Sequence, residues 1–109
     1  MSNEEFKELL TLAAKAAGYR VCHFGCPFPG AFVEDDLKGR GFYWNPRDSS
    51  ADAFELVVLL NIRFAEEWGG YAEALPGILE YHEEAGKDTC AAARLAILRA
   101  TAEIGRNMP

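Results

Sequence analysis

Asp88-Thr89-Cys90-Ala91-Ala92-Ala93-Arg94-Leu95-Ala96-Ile97-Leu98-Arg99-Ala100-Thr101-Ala102-Glu103-Ile104-Gly105 is a helix written largely in small residues. Cys90, Ala93, Ile97, Ala100 and Ile104 recur at steps of three and four, which draws one apolar stripe along a helix. Arg99, Glu103 and Arg106 fall on the other side, where Glu103 can pair with either arginine. Asp88 or Thr89 suits the N-cap, and Gly105 suits the left-handed residue that stops a helix. Because the stripe is mostly alanine, its backbone can approach its support closely, and a sheet is the expected support.

Working outward, Ser2 with Glu5 three residues later predicts the start of a first helix. Phe6, Leu9, Leu10, Ala13 and Ala17 line one face of it, and Gly18 ends it. Tyr19 to Phe24 reads as a strand rich in aromatic and β-branched residues. Gly25-Cys26-Pro27-Phe28-Pro29-Gly30 must be a turn or loop. Ala31 to Glu34 and Gly41 to Trp44 read as two more short strands, joined by a polar connection. Asn45-Pro46-Arg47-Asp48-Ser49-Ser50 then supplies the cap of a second helix, about Ala51 to Leu60. Ala53, Leu56, Val57 and Leu60 share its face while Phe54 and Val58 widen it, so this helix is expected to be the most enclosed element. Asn61 to Glu66 alternates as a strand does. Tyr71 to Leu75 and Ile78 to Glu83 read as hairpin arms about Pro76-Gly77.

The order is therefore α-β-β-(β)-α-β-β-(β)-α, an α+β chain whose short connections favour antiparallel neighbours. Helices on both faces of a mostly antiparallel sheet, a three-layer α/β/α sandwich, would cover the apolar surfaces best; two layers with all helices on one face is the alternative. The Trp44-Asn45-Pro46 turn entering an apolar helix, the strand-rich middle and the closing Ala100-Thr101-Ala102-Glu103-Ile104-Gly105 resemble the phage ABA-sandwich domain family. The likeness covers nearly the whole chain in order of elements, and the loop from Gly25 to Gly30 departs from it. The resemblance implies the sandwich fold and a phage or prophage origin, and it carries no catalytic residues to transfer.

Half of the 109 residues are apolar and 12% are aromatic, enough for one packed core, so residues 1–109 read as a single domain. Net charge is −6, from 17 acidic and 11 basic residues, which argues against generic affinity for nucleic acid. Between Phe64 and Gly86 stand six carboxylates and no lysine or arginine. That run would attract a basic protein face at long range, or simply solvate the surface. The acidic N-terminal residues offer no secretory signal and nothing approaches a membrane span, so the cytoplasm of a bacterial host is expected.

Cys22-His23-Phe24-Gly25-Cys26 has cysteine spacing that a zinc site could use, but four-coordinate zinc needs two further ligands. Buried or reduced structural thiols are the plainer reading. A thiol enzyme would need Cys26 activated by His23 or His82. The chain has no Cys-x-x-Cys pair, phosphate loop or nucleophile elbow. No catalytic residue and no cofactor is expected. Trp44 and Phe42 are expected to fill the core, whereas Trp68 and Phe28, if exposed, would mark a partner site. Arg94, Arg99, Arg106 and Lys87 share the last helix, but without a basic loop or an aromatic platform motif. The expected function is a non-enzymatic phage or prophage accessory protein that binds another protein or itself. Glu66, Glu67, Trp68, Glu73, Glu80, Glu83 and Glu84 form its expected partner surface, as an inhibitor or decoy facing a basic host protein. A small nucleic-acid-binding module is the alternative, and a Cys/His-dependent enzyme the next.

Overall fold

Ser2 starts the first helix as its sequence predicts: its hydroxyl accepts a hydrogen bond from the Glu5 amide at 3.1 Å, and Gly18 closes the helix at φ 83°. The computed structural model of the protein describes residues 2–25, 29–35, 39–60, 62–65, 71–74, 80–82 and 89–109. Its elements are α1 (Asn3–Ala17), β1 (Tyr19–Phe24), β2 (Ala31–Asp35), β3 (Arg40–Trp44), α2 (Ser50–Leu59), β4 (Ile62–Ala65), β5 (Tyr71–Ala74), β6 (Glu80–His82) and α3 (Thr89–Arg106). The fold is α+β. Among the described residues all strand pairings are antiparallel, and the strands divide into two three-stranded sheets, β1-β2-β3 and β4-β5-β6.

In the first sheet, alternation decides which side chains reach the core. Tyr19, Val33 and Trp44 are buried, whereas Arg20 and Tyr43 are exposed. A bulge between Val21 and His23 inserts Cys22 as an extra residue and shifts the register so that His23 stands opposite Phe32. Cys22 and His23 are both exposed around the bulge. The inner face meets Phe6, Leu10, Ala13 and Ala14 of α1, Ala53 and Leu56 of α2, and Ala96, Leu98 and Ala100 of α3 in one core. Trp44 is 1% exposed, and Phe42 packs half-buried beside it, as expected of core aromatics.

The last helix corrects three expectations. Its main support among the described elements is α1 rather than a sheet, although it also packs on α2 and on β4, β5 and β6. Burial runs around it instead of along one stripe: Ala92, Leu98, Thr101 and Ala102 are buried while Cys90 is exposed. Gly105 does not end the helix, which continues to Arg106. A Cβ at position 105 would overlap the Leu12 carbonyl oxygen and stand 2.8 Å from its carbon, so glycine here admits close backbone contact between α3 and α1. Glu103 and Arg106 do form the ion pair their spacing predicts.

Tyr19 ties the first sheet to α2, donating its hydroxyl to Glu55 Oε1 at 2.6 Å. Burial, reinforced by that carboxylate, pushes the hydroxyl well above the usual tyrosine range. Folding thus favours the protonated phenol, and the resulting stability is fully present below about pH 10, where unfolded tyrosine begins to ionise. It is lost as pH rises from there toward the folded value. We expect the urea midpoint to fall above about pH 10 and Tyr19→Phe to flatten that fall. Equal alkaline slopes for the two proteins would show that Tyr19 is not its source.

Candidate interaction site

The turn before α2 is a network of short polar bonds. The Asn45 side chain accepts from the Asp48 amide at 3.2 Å, and the Asn45 amide donates to Asp52 Oδ2 at 2.8 Å. Ser49 caps α2 by accepting from the Asp52 amide at 3.2 Å. From α3, Arg94 donates to the Arg47 carbonyl at 2.8 Å and to Ser50 Oγ at 3.0 Å. These bonds tie the start of α2 to α3.

That face is narrower than the apolar sequence of the helix. Ala53 and Leu56 are buried, with Val57 and Leu60 packed beside the core. Phe54 and Val58, one helical turn apart, are 66% and 67% exposed, and Leu59 is 51% exposed. The expectation that α2 is the most enclosed element is therefore wrong. Its apolar residues span more of the circumference than one core face can cover, so one group is left outside. Beside Phe54, α2 and α3 enclose a groove of about 340 Å³ lined by Ala53, Val57, Ala93 and Ile97, with Ser50 and Arg94 at its polar edge. Fully burying a phenylalanine or valine side chain is worth about 1.5–3 kcal/mol, so this surface has much to gain from a cover.

The open face of the first sheet carries a second feature. His23 stacks on Phe32 with ring centroids 5.2 Å apart and planes 4° from parallel, and Tyr43 meets Phe32 edge-on at 4.9 Å. The row crosses the three strands in register. Phe32 lies over Gly41, where a Cβ would stand 2.6 Å from its ring. Cross-strand aromatic packing of this kind stabilises a sheet whose face is open to water. Arg20 and Glu34 pair on the same face, and Arg20 draws the Glu34 carboxyl below the usual carboxylate range.

The sequence-predicted site residues are only partly brought together. Glu73 and Glu80 stand opposite one another in the β5–β6 register, and Arg63 stands opposite Glu73 in β4. Glu66, Glu67, Trp68, Glu83 and Glu84 lie outside the described residues, as do Cys26 and Phe28. Cys22 and His23 are in place but gather no third ligand among the described residues. Of the last-helix arginines, Arg94 donates to the α2 turn and Arg106 pairs with Glu103. Phe54 and Val58 were misassigned from sequence because helical periodicity alone does not say how wide a face its neighbours will cover. The row of His23, Phe32 and Tyr43 was not anticipated; its signal lay in the alternation of three neighbouring strands.

Comparison with protein-family models, with curated proteins and with solved structures gave no match. Among the described residues, no helix is long and apolar enough to cross a membrane.

Proposed function

We propose that this is a non-enzymatic accessory protein of phage or prophage origin that binds another protein in the bacterial cytoplasm. The observation that carries this reading is the exposure of Phe54 and Val58 beside the α2–α3 groove. The occupant is an amphipathic helix of the partner, its apolar side chains in the groove and its polar side basic. Charge complementarity supports the basic side: the chain has a net charge of −6, with its acidic run between Phe64 and Gly86. Such binding would act as an inhibitor or decoy at a basic host surface, with Glu66, Glu67, Glu73, Glu80, Glu83 and Glu84 attracting it and Trp68 adding apolar contact. Support for the phage origin is the resemblance carried by Trp44-Asn45-Pro46 and by the last helix. The same reading takes α3, which packs on both α1 and the β4–β6 strands, as one layer of the three-layer sandwich that the resemblance implies, with the outer face of the first sheet left open.

A labelled amphipathic Leu/Lys helical peptide is a defined probe. We expect fluorescence anisotropy to show saturable binding, weakened at least about tenfold by Phe54→Ser. Stability should change by less than about 0.5 kcal/mol, because the side chain is mostly outside. Binding that is equally strong for a Leu/Glu peptide, or unaffected by Phe54→Ser, would refute the groove as the site. A dimer in light scattering that Phe54→Ser dissolves would make a second copy the occupant and overturn the basic-partner reading.

A small nucleic-acid-binding module is the second reading, favoured by the open row of His23, Phe32 and Tyr43. The net negative charge opposes it. Salt-sensitive retention on single-stranded RNA, lost in Phe32→Leu, would move this reading ahead.

A further inference from the structure

The N-terminal end of α1 meets the β1–β2 end of the first sheet at a second cavity, away from the α2–α3 groove. It measures about 240 Å³, and Phe6, Leu10, Phe24 and Pro29 form its apolar walls, with Lys7 and Arg47 as its cations. The Lys7 ammonium lies 5.8 Å from the centre of the Phe24 ring, and the Arg47 guanidinium lies 3.8 Å from that of Phe6. Each cation thereby stands over a ring face at the edge of the cavity.

The two charges are not equivalent. Arg47 donates from Nε and a terminal nitrogen to both oxygens of Asp48, at 3.1 and 3.0 Å. That pairing holds the Asp48 carboxyl below the usual carboxylate range, so its negative charge cancels the Arg47 charge at neutral pH. Lys7 has no carboxylate within ion-pair distance among the described residues. The acidic first-turn residues Glu4 and Glu5 are exposed and do not line the cavity. Among the described residues that line it, one uncompensated positive charge therefore stands over a mostly apolar hollow, in a chain whose net charge is −6.

Charge and volume together select the ligand. A dry apolar cavity of about 150 Å³ holds a benzene ring, so this larger hollow has room for a ring and a small polar head. A single free cation matches a monoanion better than a doubly charged phosphate. We propose that the Lys7 cavity binds a small monocarboxylate with an apolar body about the size of one ring. Lys7 holds the carboxylate, and Phe6, Leu10 and Phe24 contact the body.

Phenylacetate is the probe, with its neutral isostere phenylacetamide and the dianion phenyl phosphate as controls, each titrated into the full chain and followed by amide NMR shifts. For a ligand this small a Kd on the order of 1 mM is expected, with saturable shifts at Lys7, Phe24 and Gly30. Lys7→Met should weaken binding at least about tenfold while leaving the thermal midpoint unchanged, since Lys7 is exposed. Phenylacetamide should not saturate. Absent saturation by phenylacetate, equal binding by Lys7→Met or phenylacetamide, or tighter binding of phenyl phosphate would each overturn the proposal. Arg47→Lys keeps the charge but loses the flat ring contact; it should retain binding within about threefold, and a larger loss would shift the carboxylate to Arg47 and overturn the Lys7 assignment.

Discussion

Gly105→Ala is expected to destabilise the protein by about 3 kcal/mol or more, or to prevent folding. The added methyl group has nowhere to go. It meets the backbone of Leu12, and the Leu12 carbonyl belongs to an intact turn of α1 that cannot rotate away as a side chain could. Relief therefore requires α1 and α3 to separate, and these helices share the core with the first sheet. Propensity alone points the other way, because alanine in a helix interior is better than glycine by about 1 kcal/mol. Urea denaturation decides between the two: a lower midpoint with unchanged slope is expected. A stabilised variant would mean that the helices do not approach at this point.

Leu98→Ala carries the second largest expected effect, about 2–5 kcal/mol. Leu98 is fully buried on the helix that α1, α2 and the second sheet surround, so the lost side chain leaves a cavity with little freedom to collapse. In a domain whose total stability is on the order of 5–15 kcal/mol, such a loss is a large fraction. Ile97→Ala, which lines the open groove, should cost less. The comparison tests burial around the helix directly, because an apolar stripe confined to Ala93, Ile97 and Ala100 would make Ile97 the costlier position. Thermal unfolding of both variants supplies the measurement, and the reverse order would restore the one-face reading.

Local chemistry was legible where a signal acts within a few residues. The Ser2 cap and Gly18 stop bracket α1 as expected, because a hydroxyl reaches only the next turn and positive φ is cheap for glycine. β1 was found to its last residue, and the other elements within a few positions. The cap at Ser49 was likewise visible in Asn45-Pro46-Arg47-Asp48-Ser49-Ser50. The candidate site was much less legible. Phe54 and Val58 carry the same apolar character as Leu56, and contacts from other elements, among them the Arg94 bonds to the α2 turn and the Tyr19–Glu55 bond, accompany the turning of one set inward. Nothing local to Lys7 signals the Phe24 ring near it, which is there because β1 packs beside α1.

By itself, then, the sequence determined the kind, order and capping of the elements, because these depend on propensity, periodicity and side-chain bonds to nearby backbone. Only the tertiary structure decided which faces are covered, that Gly105 serves a helix–helix crossing instead of a helix end, and where aromatic rings meet cations. Those outcomes depend on contacts between residues tens of positions apart, such as Leu12 with Gly105 and Arg47 with Arg94, whose pairing no local pattern encodes.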